Sequence, residues 1–200
     1  FNYKYHMTFK ENKYQIIRGA VSFELANFCF NYFVLKRDGI KFLYDNNIIA
    51  QNAIHGHWHD PQCPDVYSIY GDPVMETLLM KVLLTMKEKT SLELVPTYSY
   101  ARLYEKGSVL KKHKDRPSCE VSTTLNLGGD LWPIYIEKVK VDLKPGDMVI
   151  YSGCELEHWR EPFEGTLCGQ VFLHYNHAEG QFAKSNLYDK RPMLGIPKTP

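Results

Sequence analysis

Histidine and aspartate, two residue types that bind transition metals, stand two positions apart at His113 and Asp115. In an extended segment, residues two apart point to the same side, so the imidazole and the carboxylate would face one ion. They would form part of a 2-His-1-carboxylate facial triad, which leaves coordination positions of an iron(II) ion open. His158, which lies 45 residues further along, is the candidate for the third ligand. This spacing predicts a non-haem iron site with room for exchangeable ligands.

The elements that must position these residues lie in the second half of the chain, where the sequence is typical of β-structure. Short runs in which apolar and polar residues alternate are separated by turn signals such as Pro145-Gly146-Asp147. This pattern predicts an all-β sandwich or barrel behind two helices. The predicted strands lie at residues 97–104, 110–116, 121–127, 131–137, 138–143, 148–151 and 167–175.

The first of the two predicted helices follows a short strand at residues 14–21. Ser22 is a suitable N-cap, and Gly39 suits the position after the last turn. Residues 40–50 fit neither a helix nor a strand clearly. The packing face of the helix would contain four apolar residues: Phe23, Ala26, Phe30 and Phe33.

The second helix is predicted to begin with Asp72 as its N-cap and Pro73 in its first turn. Its apolar stripe is Met75, Leu78, Leu79, Val82 and Met86. Between the helices, residues 51–71 contain prolines and few periodic apolar residues, which predicts a loop. A substrate-facing loop is the favoured interpretation of its histidines, and a structural metal site is the alternative: His55, His57 and His59.

The composition bounds the class of protein. A chain of 200 residues with 44% hydrophobic content is sufficient for one domain with a sizeable core. The 24 basic residues nearly balance the 23 acidic ones, so no general affinity for nucleic acid is indicated. The five cysteines are odd in number and lack CxxC spacing, which favours reduced thiols in a cytoplasmic protein. The longest apolar runs are too short to cross a membrane.

Residues 92–176 resemble the iron(II)- and 2-oxoglutarate-dependent dioxygenases, in their prolyl-4-hydroxylase-like branch. The resemblance is carried by Tyr104-Glu105-Lys106-Gly107, His113-Lys114-Asp115, the strand at 121–127, Lys144-Pro145-Gly146-Asp147 and His158. It implies an α+β, mainly β protein with a double-stranded β-helix, or jelly roll, braced by N-terminal helices. We therefore expect a single domain over residues 1–200, with a helical support and loop region (1–91), a catalytic core (92–176) and a C-terminal tail (177–200).

The same resemblance implies the chemistry. His113, Asp115 and His158 would be both the iron(II) ligands and the catalytic centre, with 2-oxoglutarate as co-substrate. The protein would be a hydroxylase that uses dioxygen to couple the decarboxylation of 2-oxoglutarate to oxidation of a second substrate, with ascorbate as a reductant. That substrate would be a peptide or a small molecule, and a prolyl residue of a peptide is the family analogy. No membrane partner and no clear nucleic-acid partner are expected.

One departure from the family pattern concerns the distal carboxylate of 2-oxoglutarate. The family usually places a lysine or arginine beyond the second histidine, at a position where this chain has Leu167-Cys168-Gly169-Gln170. Arg160, two residues after His158, is the preferred substitute, and Arg102 is the alternative. The remaining hydrogen bonds to the carboxylate would come from Tyr104, Asn126 and Gln170.

A different class of protein remains open at this point. The missing base is compatible with a catalytically silent β-helix, in which His113 and Asp115 only cap a turn. It is equally compatible with a cupin-like metal-binding module that takes no 2-oxo acid. Decarboxylation of bound 2-oxoglutarate separates the enzyme from these two alternatives.

Overall fold

The computed structural model describes residues 8–197, so the outermost parts of the predicted support region and tail lie outside the described residues. Its larger sheet contains seven strands of this part of the chain. In order across the sheet they are β1 (Tyr14–Ile17), β9 (Met148–Ser152), β6 (Val121–Gly129), β11 (Leu167–His177), β4 (Leu94–Glu105), β3 (Cys63–Tyr70) and β2 (His57–Asp60).

The smaller sheet contains four of the described strands, in the order β5 (Leu110–His113), β10 (His158–Arg160), β7 (Ile134–Ile136) and β8 (Val139–Val141). Neighbouring strands in both sheets are antiparallel. From β4 to β11 the chain passes back and forth between the two sheets, as a jelly roll requires. The predicted mainly β architecture is confirmed.

Helices cover the outer face of the larger sheet. The described helices are α1 (Phe9–Asn12), α2 (Phe23–Asp45), α3 (Pro73–Thr90) and α4 (Ala183–Asn186), with short 3-10 helices at Ala53–His55, Pro117–Cys119 and Leu187–Lys190. α2 packs on β6, and α3 packs on β4 and β11. No helix within residues 8–197 is long and apolar enough to span a membrane. All five cysteines are free thiols; the cytoplasmic location stays a prediction.

Side chains along β11 alternate between two interiors. Val171 and Leu173 belong to the hydrophobic cluster that includes the helices, whereas Cys168 and Phe172 pack with Leu110 of the smaller sheet. Because successive side chains of a strand point to opposite faces, the even-numbered residues of β11 face the space between the sheets. That space is where the polar side chains of β4, β6, β10 and β11 meet.

The second predicted helix is confirmed. Asp72 caps α3, since its Oδ1 accepts hydrogen bonds from the N–H groups of Val74 (3.0 Å) and Met75 (3.2 Å). Pro73 occupies the first turn, where its missing N–H costs nothing. All five predicted stripe residues are buried in the core: Met75, Leu78, Leu79, Val82 and Met86.

The first predicted helix differs from the structure in where it ends and in one residue of its packing face. α2 continues through Gly39 to Asp45, because buried Phe33 and Tyr44 anchor the turns on either side of the glycine. Phe23 is 61% exposed, so its predicted place on the packing face is wrong. The helix packs instead through Ala26, Cys29 and Phe33, with Phe30 partly buried against the same core. The preceding strand ends at Ile17 rather than at residue 21.

The predicted loop at residues 51–71 is wrong over most of its length. β2 and β3 form an antiparallel hairpin, and β3 extends the larger sheet beside β4. Residues 66–69 of β3 are all buried, so the strand lacks the alternation that identifies a half-exposed strand. Pro61 lies in the hairpin turn and Pro64 near the start of β3, and both strengthened the loop signal.

Candidate metal centre

The two predicted histidine ligands are cross-strand partners in the smaller sheet. His113 ends β5, His158 begins β10, and the two residues pair directly. Asp115 follows β5, where its backbone N–H donates to the Gly153 carbonyl at 2.8 Å. The Asp115 Oδ1 atom lies 3.6 Å from His113 Nε2 and 3.4 Å from His158 Nε2. Fold and turn together therefore bring the three predicted residues to one point.

Each imidazole is oriented by a backbone carbonyl two residues earlier. His113 Nδ1 lies 2.7 Å from the Lys111 oxygen, and His158 Nδ1 lies 3.0 Å from the Leu156 oxygen. A carbonyl only accepts, so both rings carry their proton on Nδ1 and leave the Nε2 lone pair free. Burial, reinforced by the neighbouring His158, lowers the pKa of His113 and favours its neutral, metal-binding form.

The carboxylate of Asp115 is almost enclosed. Burial alone would raise its pKa, but the neighbouring imidazoles of His158, His174 and His113 hold the pKa below its ordinary value. Its second oxygen, Oδ2, lies 3.1 Å from Ser122 Oγ. A Cβ added at Gly153 would come within 2.5 Å of this oxygen, so only glycine fits there. The site therefore keeps Asp115 ionised and in a fixed orientation.

A cavity of about 260 Å³ opens beside the three residues, between the two sheets. Its wall on the larger sheet is aromatic, formed by Tyr98, Tyr100 and Phe172. Arg102 and Gln62 also line it, but the Arg102 guanidinium already binds Asp60, with Nε and Nη2 at 2.9 and 2.7 Å from Oδ2. Arg102 Nη2 also donates to Gln62 at 2.6 Å. Its charge is therefore compensated within the protein.

The charge of Arg160 is compensated much less than that of Arg102. It is 1% exposed, and its Nη1 donates to the Trp132 carbonyl, with the guanidinium 5.0 Å from the centre of the Trp132 ring. Nε and Nη2 are buried without a hydrogen-bond partner among the described residues. Burial lowers the pKa of this guanidinium, as expected for a charge away from water. A buried cation with unpaired donors is a strong candidate for anion binding.

The other three predicted contacts also lie in this interior. Tyr104 is fully buried against Trp132, and burial raises its pKa to about 12. Asn126 donates to the Leu143 carbonyl at 2.6 Å, and Gln170 donates to Cys168 Sγ at 3.2 Å. The amide oxygens of both residues lack a described hydrogen-bond partner. These side chains offer polar groups to the interior, and their role as co-substrate contacts stays a prediction.

Sequence reasoning missed a second set of possible metal donors, formed by Asp115, Cys119 and His174. Ser122 is paired with His174 across β6 and β11, and its hydroxyl lies 2.8 Å from His174 Nδ1. Strand alternation places both side chains inward, but their contact depends on a register that the sequence does not reveal. In residues 8–197, no such set of donors includes any of the three histidines at 55, 57 and 59.

No protein-family model and no curated protein sequence matches the chain. Solved structures do resemble it. A Pseudomonas putida prolyl-4-hydroxylase is similar with a TM-score of 0.60 and 16% identity, over 82% of this chain and 92% of that one. EctD from S. alaskensis with bound Fe is similar with a TM-score of 0.63 and 16% identity, over 98% of this chain and 83% of that one.

A third similar structure is the non-heme alpha ketoglutarate dependent epimerase SnoN from nogalamycin biosynthesis, with a TM-score of 0.64 and 12% identity, over 96% of this chain and 93% of that one. At these identities the likeness concerns the fold. It confirms the double-stranded β-helix that the family resemblance implied.

Proposed function

We propose that this chain is a non-haem iron(II), 2-oxoglutarate-dependent oxygenase that acts as a hydroxylase. The observation that carries the proposal is the combination of two features in one interior. Two imidazole Nε2 atoms and a carboxylate oxygen converge beside a cavity, and a buried guanidinium with two unpaired nitrogens lies two residues after His158. A metal-binding module without a 2-oxo acid would leave that guanidinium without an anion.

His113, Asp115 and His158 fit iron(II) because they present two neutral nitrogens and one anionic oxygen within 4.8 Å of one another. The iron would activate dioxygen and hold the 2-oxo acid through open coordination positions. The protein's own residues do the rest. Lys111 and Leu156 hold the two imidazoles through their carbonyls, and the aromatic wall of the cavity would limit access of water to the reaction.

Arg160 is the proposed partner of the distal carboxylate of 2-oxoglutarate. Its unpaired Nε and Nη2 could donate two hydrogen bonds to one carboxylate, the bidentate geometry that arginine favours. Arg102 is the weaker candidate because Asp60 and Gln62 already occupy its donors. Tyr104, Asn126 and Gln170 would complete the polar surroundings, and Arg160 would replace the base that the family usually has where this chain has Cys168.

For the primary substrate we propose a prolyl residue of a peptide. What supports this choice is similarity of fold to structures named as a P. putida prolyl-4-hydroxylase and a viral collagen prolyl hydroxylase. A small molecule is the competing candidate, because another structure of this fold contains bound hygromycin B. Incubation with a panel of proline-containing peptides and small metabolites distinguishes the two by which compound gains one oxygen atom in mass.

Turnover of 2-oxoglutarate tests the enzymatic proposal without knowledge of the substrate. The protein with iron(II), dioxygen and ascorbate should convert 2-oxoglutarate slowly to succinate, with ascorbate keeping the iron reduced. The Asp115→Ala variant should lose this turnover because it loses the anionic ligand. Absence of succinate from iron-loaded wild-type protein would instead favour the silent binding module.

A further inference from the structure

The hydroxyl of Ser122 sits among three polar atoms beside the proposed metal site. Its Oγ is 3.1 Å from Asp115 Oδ2, 3.0 Å from the Cys119 carbonyl oxygen and 2.8 Å from His174 Nδ1. Ser122 is fully buried, and His174 is 6% exposed and packed against Tyr98 with ring centres 4.5 Å apart. No water is needed to connect these groups.

Counting hydrogens fixes the direction of these contacts. Asp115 and the Cys119 carbonyl can only accept, and the Ser122 hydroxyl has one hydrogen to donate. If that hydrogen pointed at His174, two oxygen acceptors would face the serine oxygen with no hydrogen between them. The favourable arrangement is His174 Nδ1–H donating to Ser122 Oγ, which leaves the serine hydrogen for the oxygen acceptors. A neutral imidazole carries one ring proton, and this arrangement places it on Nδ1.

The geometry points to His174 as a positioning residue that acts through Ser122 to hold Asp115 Oδ2 away from the metal. Oδ1 faces both histidine Nε2 atoms, so it alone would ligate the ion. A carboxylate restrained to one oxygen leaves an additional coordination position free. The inference rests on the proposed metal site, and it assigns the second donor set to support of the first rather than to a second ion.

Cobalt(II) titration of the full chain, without 2-oxoglutarate, tests this inference independently of turnover. Ser122→Ala should weaken cobalt affinity by about 10- to 100-fold, the usual effect of losing a hydrogen bond to a metal ligand. His174→Phe keeps an aromatic ring beside Tyr98 but removes the donor, so it should weaken affinity similarly. His174→Asn places an amide N–H near the position of Nδ1 and should restore most of the affinity.

A double variant distinguishes a relay of hydrogen bonds from His174 through Ser122 to Asp115 from mere packing of the His174 ring. In the Ser122→Ala background, His174→Phe should cause no further loss, because the relay is already broken. Thr123→Val is the matched control: it removes a buried hydroxyl from the neighbouring position, whose side chain points to the opposite face of β6. Its cobalt affinity should equal that of the wild type, and the visible cobalt spectrum should change only in the Ser122 and His174→Phe variants.

Several results would overturn the inference. Wild-type affinity in Ser122→Ala, an equal loss in Thr123→Val, or full additivity in the double variant would each show that His174 only packs. Binding of two cobalt ions per chain would assign Asp115, Cys119 and His174 to a second metal site. Failure of the wild-type protein itself to bind cobalt would contradict the proposed function instead, so the two failures are distinguishable.

Discussion

A buried guanidinium with unpaired donors is costly, which makes Arg160 the most informative single residue in the molecule. Its position two residues after His158 was identifiable from the sequence, because alternation in a strand places both side chains on one face. The shortage of partners around Nε and Nη2 was not identifiable, because it depends on packing between the sheets. The contact between the Ser122 hydroxyl and the His174 imidazole could not be predicted from the sequence for the same reason, since it joins residues 52 positions apart.

Replacing Arg160 with methionine should have opposite effects on stability and binding. The change removes two buried nitrogens without partners but also the hydrogen bond from Nη1 to the Trp132 carbonyl, so the metal-free protein should gain at most about 1–3 kcal/mol of unfolding free energy. The same change should weaken the affinity for 2-oxoglutarate at least tens-fold, because a buried charge-assisted pair is lost. Urea unfolding measures the first effect and 2-oxoglutarate titration of metal-loaded protein the second.

Arg102→Ala is the comparison for Arg160→Met. It leaves Asp60 buried without its partner, so it should destabilise the fold while changing 2-oxoglutarate affinity less. The reverse ranking of the two variants in 2-oxoglutarate affinity would move the anchor to Arg102.

Gly153→Ala should damage the metal site although residue 153 provides no ligand. The added methyl group would press on Asp115 Oδ2 and on the Cys119 carbonyl, which is backbone and cannot rotate away. We expect a weakened affinity for cobalt(II) and a lower midpoint of thermal unfolding. An alanine variant with unchanged metal affinity would show that the loop carrying Asp115 adapts freely, contrary to the enclosed geometry described above.

At the scale of elements, turn chemistry and alternation were sufficient to predict where the site residues lie. Asp72 and Pro73 fixed the start of α3, and the alternating tyrosines fixed β4. The two largest failures were at an exposed glycine inside α2 and at the hairpin of β2 and β3. In both places tertiary packing decided the local structure: Tyr44 is buried beyond Gly39, and residues 66–69 are buried on both faces.

Gly39→Ala should therefore stabilise the protein. Gly39 lies within a regular helix, its φ is not positive, and a Cβ would meet no atom within 4 Å. Alanine lowers the conformational entropy of the unfolded chain and should add up to about 1 kcal/mol to the unfolding free energy. Destabilisation on urea unfolding would indicate that α2 is interrupted at Gly39, as the sequence signal had suggested.

At the scale of the whole molecule, two ion pairs hold the C-terminal segment to the rest of the protein, and one of them is fully buried. Arg191 Nη2 lies 2.6 Å from Glu76 Oε1 on α3, with both side chains less than 5% exposed. Arg116, next to Asp115, binds Asp189 with its two terminal nitrogens at 2.9 and 2.7 Å. The segment predicted only as a tail thus supports both the helical layer and the loop that carries the carboxylate ligand.

Removing one member of the Arg191–Glu76 pair should lower the unfolding free energy much more than removing both. Arg191→Met leaves a buried carboxylate without its cation and should cost about 3–5 kcal/mol of unfolding free energy. The double variant Arg191→Met, Glu76→Gln should recover a large part of that loss, because no unpaired charge remains. Equal destabilisation in the single and double variants, measured by urea unfolding, would show that packing rather than charge fixes the segment.

The most direct test of the central claim is calorimetric titration of 2-oxoglutarate into anaerobic protein with and without iron(II). We expect one equivalent to bind only when iron(II) is present, to be lost in Asp115→Ala together with the metal, and to be strongly weakened in Arg160→Met while iron binding persists. Binding of 2-oxoglutarate that does not depend on iron, or no binding to the iron-loaded wild type, would contradict the account.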